Sequence, residues 1–483
     1  MDERVYLKSH GPDSQWLVGS NMREALSVPL QQQTTPLSEF LSALFQALDR
    51  EGLRPCILRN YEGFPSINIG NDVDLFIRSS ELPRAMRASS SIEGIRIVGY
   101  AERQYVANIF LEGVCSATGT RMQHVDFNLS LTWKGLPYLT TDAVLEAAIP
   151  RSAGNLTFLV PCPVHEAVIS LFASLLVGGG LKEKYFPEVQ RTFAGSRIEA
   201  VAALRPQFGF KNATRLVDSV IGGDRVRILG CIRSLRVSLS LRSLLHRPVR
   251  SILAVVRHYT NELAVRFSPG NVETVCILGL DGGGKTTLIE TLIPLLHSAA
   301  VVVEKDHPRI QSSFVRASSE MTPGAEFKAQ TPRSSLVSMA NVLAWLLDEW
   351  LNQFFGKRNL TLRITENCWC DLLAAPGRYR YGGPKWFARF VGKLFPSPDL
   401  WIMLDPLADN LQTTNPDVHP AKIRRQLDVY RAFVKTRRRY VILDASQPAD
   451  RVTESAYAAI IDTLAQRADK TLKNRFQQRK DTN

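Results

Sequence analysis

The chain has 483 residues, long enough for two or three domains, and its 45% hydrophobic and 22% charged content is that of a globular protein with real cores rather than a disordered or fibrous chain. Lys and Arg outnumber Asp and Glu by 59 to 46, and the formal net charge of +13 points either to anionic partners or to a basic surface that serves only solubility. The seven cysteines include no Cys-x-x-Cys pair, the opening MDERVYLKSHGPDSQ lacks the apolar core of a signal peptide, and the run from Ala167 to Gly180 is too short to span a bilayer, so a soluble cytoplasmic protein in a reducing compartment is expected.

In chain order, residues 36–223 mix short strand and helix patterns and are expected to form one α+β domain with a helical extension. ILRNYEGFPSINIGNDVDLFI (Ile57–Ile77) sets Asp72 and Asp74 two apart on a strand, so both point to one face. Two carboxylates aimed together are costly unless a cation or a proton sits between them. Asp126 in QHVDFNLS (Gln123–Ser130), another strand pattern, is a third candidate. Three such carboxylates could hold the Mg²⁺ ions of phosphoryl or nucleotidyl transfer; two solvated aspartates on an exposed strand are the plainer alternative.

Residues 224–270 read as a basic helical linker. Between Arg225 and Arg266 there are nine arginines, opposed only by Asp224 and Glu262, with Leu235, Leu239, Leu241, Leu244 and Leu245 between them at helical spacing and a break at Pro248. The pattern fits an amphipathic helix pair that touches acidic lipid or nucleic acid, or a solvated linker packed on its neighbours.

From 271 to 470 strands alternate with helices. Strand patterns fall at Thr274–Leu278, Ala300–Val303, Leu362–Thr365, Leu400–Leu404 and Tyr440–Leu443. Helical patterns fall at Lys285–Leu296, Ser334–Phe355, Ala421–Arg437 and Ala449–Ala468, with Pro294 expected to kink or end the first of them. This alternation predicts an α/β region, a doubly wound parallel sheet with helices on both faces. After its first strand comes Gly279-x-x-x-x-Gly284-Lys285-Thr286. Glycines let such a loop curl so that successive N–H groups face one anion, and the helix start adds its positive dipole end. Lys285 is expected to reach the β- and γ-phosphates of ATP and Thr286 to offer its hydroxyl to Mg²⁺.

LGLDGGGKTT, with Gly279, Asp281, Gly282, Gly283, Gly284, Lys285, Thr286 and Thr287, resembles the phosphate loop of thymidylate kinases, G-x-D-G-x-G-K-[ST]-T. The likeness runs from Val272 to about Gln466 and takes in TENCWCDLLAAPGRYRYGGP (Thr365–Pro384), PDLWIMLDP (Pro398–Pro406) and LDASQPADRV (Leu443–Val452). It implies a P-loop kinase fold, ATP and Mg²⁺ as cofactors, Asp281 positioning a phosphoryl acceptor, and Glu366 as an acid near the metal. The family's Asp-Arg is Glu366-Asn367 here, and the segment where its lid arginines fall reads LADNLQTTNPDVHPAKIRR, with no basic residue before Lys422. Arg378 and Arg380 are candidate replacements; His307, Arg309 and Arg333 are looser candidates for acceptor contacts.

The first half, from about Pro36 to Tyr185 with WKGLPYL (Trp133–Leu139), resembles the nucleotidyltransferase superfamily. There a Gly-Ser pair before Asp-x-Asp binds phosphates; Arg59-Asn60 stands in that place here. Together the resemblances imply an ATP-binding phosphotransferase acting on a nucleoside monophosphate or another small phosphorylated acceptor, fused to a nucleotidyltransferase-like domain. The alternatives are a nucleotidyltransferase whose P-loop half senses ATP, and a non-catalytic ATP-binding regulator. Expected partners are a nucleotide or phosphorylated small molecule; a homodimer, and contact of the linker with nucleic acid or an acidic membrane, are compatible with the sequence.

Overall fold

The computed structural model describes residues 36–65, 72–115, 119–153, 156–267, 272–280, 282–296, 302–306, 332–355, 361–366, 368–377, 379–406 and 420–477. The first half runs α1 (Pro36–Arg50), β1 (Cys56–Ile57), β2 (Asp72–Phe76), α2 (Leu82–Ser90), β3 (Ile95–Glu102), β4 (Val106–Cys115), β5 (Gly119–Asn128), β6 (Leu131–Trp133), β7 (Leu136–Leu139), α3 (Thr141–Glu146), β8 (Ile149–Ala153) and β9 (Leu156–Val160). A helical run follows: α4 (Pro163–Phe172), α5 (Phe186–Gly195), α6 (Arg197–Phe208), α7 (Phe210–Ile221), α8 (Arg225–His246) and α9 (Pro248–Phe267). The second half runs β10 (Val272–Leu278), α10 (Lys285–Leu296), β11 (Val302–Asp306), α11 (Ser335–Phe355), β12 (Thr361–Glu366), α12 (Asp371–Ala374), α13 (Lys385–Gly392), β13 (Leu400–Asp405), α14 (Pro420–Val434), β14 (Tyr440–Asp444) and α15 (Ala449–Gln477).

The described residues are α/β, with one mixed sheet, one parallel sheet and the antiparallel β6–β7 pair. The mixed sheet has the order β3-β4-β5-β2-β1-β9-β8, with β2–β5 and β1–β9 parallel and the other pairs antiparallel. Alternation along its strands sends Val73, Leu75, Ile109, Leu111, Val125 and Phe127 onto α1 and α2, where they meet Phe40, Leu41 and Leu44. The same alternation leaves Asp72, Asp74, His124 and Asp126 on the other face. On that face Phe76 enters the apolar layer built by α4 to α8, while Val98 and Phe110 enter the core of the second sheet. Helix α8 belongs to the helical layer, since Ile228, Cys231, Leu235 and Leu239 are buried in it.

The second sheet is parallel throughout, ordered β11-β12-β10-β13-β14. Val275 and Ile277 of β10 pack toward α10 and α15, and Cys276 and Leu278 toward α11, α13 and α14, so helices cover both faces. Helix α10 runs two residues past Pro294 before ending at Leu296, because a proline in the last turn removes little of the ladder. Strand β11 is described from Val302 and extends through Asp306, three residues beyond its apolar pattern; Ala300 and Val301 lie outside the described residues. No described helix is long and apolar enough to cross a membrane.

Helix α15 ties the two sheets together. Ala456, Ile460, Ile461 and Leu464 lie in the core of the parallel sheet, and Ala468 and Leu472 in that of the mixed sheet. Its polar positions follow suit: Arg475 donates to both carboxylate oxygens of Glu102 at 2.7 and 2.8 Å, and Asp462 pairs with Arg96 of β3. Arg467 lies 3.4 Å from Glu273 of β10 and 2.9 Å from Asp399, so one guanidinium faces two carboxylates. Burial pushes the Glu273 carboxyl up to about 8, against the pull of Arg467. The folded chain therefore keeps a proton that the unfolded chain, with its ordinary value of 4.5, releases. That contribution to stability is complete below the unfolded value and is lost as pH rises through the folded one. Glu273→Gln, which mimics the protonated form, is expected to gain roughly 1–3 kcal/mol relative to the parent between about pH 5.5 and about pH 8.5. Calorimetric melts of both proteins at the two pH values measure it; parallel shifts would mean that Glu273 is ionised throughout.

Candidate functional site

Buried residues of β10 lead directly into the glycine loop at the carboxyl end of the parallel sheet's central strand, where the strand order reverses. Open parallel sheets bind ligands at such a point. Gly282 and Gly284 take φ of 77° and 81°, which a side chain at either position would oppose. Helix α10 then begins at Lys285, so its first N–H groups open onto the loop. The Lys285 side chain is buried, and its Nζ donates to the carbonyls of Gly279 (2.9 Å) and Leu280 (2.6 Å). Thr286 Oγ1 donates to Glu366 Oε1 at 2.8 Å. Glu366 ends β12, directly opposite Ile277 in the parallel register, and this register brings a carboxylate 80 residues away to the loop. Thr287 is exposed on the first turn of α10.

On the other flank of β10, Asp405 ends β13 and accepts two hydrogen bonds from Arg431 of α14, at 2.7 and 2.8 Å. A second buried carboxylate, Asp371, organises the segment after Glu366. It accepts from Tyr430 Oη (2.7 Å), Tyr379 Oη (3.0 Å) and the Cys368 N–H (3.0 Å). Cys276, Cys368 and Cys370 are all buried behind it. Arg333 is joined to this segment through its backbone, its N–H donating to the Arg380 carbonyl at 2.9 Å. Asp281, His307, Arg309, Asn367 and Arg378 lie outside the described residues, as does Gln412–Asn415. Of the basic residues after them, Lys422, Arg424 and Arg425 are exposed on α14.

The carboxylates of the first half meet on the mixed sheet. In the parallel β2–β5 register Asp72 sits opposite His124 and Asp74 opposite Asp126; in the antiparallel β4–β5 register Asn108 faces Asp126 and Phe110 faces His124. One ligand atom each from Asp72, His124 and Asp126 lies within 4.8 Å of the other two. Asp74 shares the face but is committed elsewhere: Arg59 Nε donates to it at 2.6 Å and Asn128 Nδ2 at 3.3 Å. Arg59, in the place where the nucleotidyltransferase resemblance calls for a phosphate-binding turn, is thus tied to an aspartate. Asn108 Nδ2 donates to Asp126 Oδ1.

Burial and close contact define the electrostatics of this cluster. Burial, and then the neighbouring Asp74 and Asp126 charges, push the Asp72 carboxyl above its ordinary value. His124 Nε2 is buried and lies 2.8 Å from Asp126 Oδ1. The imidazole is held in this orientation by stacking on Phe110, with ring centroids 4.3 Å apart and planes within 2°. A donor set of two carboxylates and an imidazole fits a divalent cation, and its mixed oxygen–nitrogen character suits Mn²⁺ better than the all-oxygen preference of Mg²⁺. The period-2 rule that pairs Asp72 with Asp74 also pairs His124 with Asp126 within QHVDF, so the sequence carried a signal for His124 that its reading passed over. Neither a protein-family model nor a curated protein matches the chain.

If Asp72, His124 and Asp126 bind one ion, the intact protein should take up Mn²⁺, and Asp126→Asn or His124→Gln should weaken that binding at least about tenfold, with Asp74→Asn doing less. Electron paramagnetic resonance of free Mn²⁺ during titration reads this directly. Equal affinity in all four proteins would place the ion elsewhere.

Proposed function

We propose that this protein is an ATP-binding phosphotransferase, a P-loop kinase resembling thymidylate kinase, that acts on a nucleoside monophosphate or another small phosphorylated acceptor. The observation that carries this reading is the Thr286–Glu366 pair beside the glycine loop: a hydroxyl from the first turn of α10 and a carboxylate from the end of β12, next to a lysine at a helix start. Backbone N–H groups of the loop and of α10 suit phosphate oxygens, and a hydroxyl–carboxylate pair suits a hard cation such as Mg²⁺. ATP, when bound, supplies the transferable phosphoryl group. The chain's own residues hold it: Gly279 to Gly284 through their backbone, Lys285 through its ammonium, Thr286 and Glu366 toward the metal or its water. Asp281 is proposed to orient the acceptor.

The second reading is nucleotidyl transfer by the first half, with the P-loop half sensing ATP. The convergence of Asp72, His124 and Asp126 favours it, and the commitment of Arg59 to Asp74 counts against it. ATP labelled separately at the α- and γ-phosphates distinguishes the two. Label transferred from the γ position supports kinase activity, and label transferred from the α position supports nucleotidyl transfer. No transfer to any nucleoside monophosphate or sugar phosphate would leave a non-catalytic ATP-binding regulator.

Lys285→Ala is expected to lower Mg²⁺-dependent ATP affinity at least about tenfold, since the charge-assisted contacts of the ammonium are among the stronger ones available. Titration calorimetry checks it, with a thermal melt as control for the fold. Undiminished binding would sink the assignment of the loop.

Activity on dTMP is expected to be weak. Transferring a phosphoryl group spreads negative charge that preorganised cations stabilise, and arginine contacts of this kind carry orders of magnitude in rate. In this chain the resemblance's Asp-Arg has become Glu366-Asn367, and Arg431, the arginine on α14 nearest β13, already pairs with Asp405. A coupled assay with dTMP, ATP and Mg²⁺ should give turnover far below the enzyme median of about ten per second. A rate near that value would mean that other cations replace the missing arginine.

A further inference from the structure

Helices α8 and α9 form a hairpin that breaks at Arg247–Pro248 and is clamped by Ser251 Oγ donating to the Ser243 carbonyl at 2.7 Å. A helix packed against a core ordinarily presents polar residues on its outer side. Here the outer side is apolar. Helix α8 buries Ile228, Cys231, Leu235 and Leu239, and it exposes a second stripe at Val237, Leu241, Leu244 and Leu245. Helix α9 exposes Val249, Ile252, Leu253 and Val256, the i, i+3, i+4, i+7 positions of one face. The exposure is large at the tip: 78% for Leu245, 68% for Val249 and 60% for Leu253. Scattered exposed aliphatics are ordinary, but an exposed aliphatic stripe on each of two consecutive helices marks an interaction surface.

Charge selects the partner. Residues 225–261 contain arginines and a pair of histidines but no aspartate or glutamate. Arg247 and Arg250 are exposed at the tip, and Arg250 and Arg257, seven residues apart, lie on the line of Leu253. We infer that the α8–α9 hairpin docks on an anionic lipid surface, with its leucines and valines entering the interface and its arginines meeting the phosphates of the headgroups. An aliphatic stripe flanked by arginine is the pattern of a helix that lies in the interfacial plane, and neither helix is apolar enough to cross the bilayer. A second copy of the chain is a poorer occupant: a twofold contact over this tip brings arginines against arginines. Nucleic acid would use the arginines but gains little from exposed leucine and isoleucine, because its bases stack on aromatic rings.

The test is flotation of the intact protein with vesicles of phosphatidylcholine alone and with a third of the lipid replaced by phosphatidylglycerol, at low and high salt. Binding is expected only to the anionic vesicles and is expected to weaken with salt. The double substitution Arg247→Gln with Arg250→Gln should lower vesicle affinity on the order of 25-fold, each arginine near an anionic surface accounting for roughly fivefold. Leu245→Ser with Val249→Ser should weaken it at unchanged charge. All four positions are exposed, so unchanged melting curves are expected for both variants. Equal binding to neutral vesicles, or no vesicle binding, overturns the inference. So does binding of single-stranded DNA without vesicle binding. A dimer in sedimentation that the Leu245→Ser, Val249→Ser variant dissolves, again without vesicle binding, would reassign the face to a second copy.

Discussion

The apolar stripe of helix α15 is the constraint on which the rest of the arrangement depends. It completes the core of the parallel sheet with Ile460, Ile461 and Leu464 and that of the mixed sheet with Ala468 and Leu472. Burying a leucine or isoleucine fully is worth about 1.5–3 kcal/mol, whereas an exposed ion pair such as Arg96–Asp462 contributes at most about 1 kcal/mol. The stripe therefore holds the two sheets together, and the ion pairs fix its rotation. Phe110 completes the junction from the other side: it lies in the same apolar cluster as Ile277 and Leu288, which flank the glycine loop, and its ring stacks on His124. The two candidate sites thus share one packed cluster.

The two sites differ in how well their own chain satisfies them. At the glycine loop the strongest groups already have partners: Lys285 meets two carbonyls, Thr286 meets Glu366, and Asp405 meets Arg431. Such a loop can exchange internal contacts for those of an anion without first relieving strain. The sheet face has the opposite character. Burial, and then the neighbouring Asp74 and Asp126, push the Asp72 carboxyl above its ordinary value, and His124 Nε2 is buried 2.8 Å from Asp126 Oδ1.

What the sequence made legible was local. The glycine spacing, the strand–helix alternation and the Asp72-x-Asp74 pairing each lie within one element and its flanks. Most of what it left out needs contacts between distant segments. Asp72 meets His124 only through the β2–β5 register, and Glu366, Asp371 and Asp405 find Thr286, Tyr430 and Arg431 across intervals that no periodicity encodes. The end of α15 was obscured for a related reason. Ala468 and Leu472 sit among Arg467, Asp469, Lys470 and Lys473, which reads as a polar tail until the mixed sheet provides a second core for them. Strand β11 reaches Asp306 although Glu304, Lys305 and Asp306 look like loop, because an edge strand needs only one apolar side and Lys305 can turn out to Glu290, 3.7 Å away.

Charge counting gives the mixed-sheet face its sharpest definition. Asp72, Asp74 and Asp126 bring three carboxyl groups together, and the guanidinium of Arg59 pairs with one of them, Asp74. Asn108 and Asn128 contribute only dipoles, on Asp126 and Asp74. Carboxyl groups crowded in a half-buried setting are relieved by protons or by a bound cation, and burial, then the neighbouring Asp74 and Asp126, push Asp72 above its ordinary value. A divalent ion among Asp72, His124 and Asp126 would offset that crowding. Arg59 and Asn128 hold Asp74 apart from the trio, while Asn108 fixes Asp126 within it.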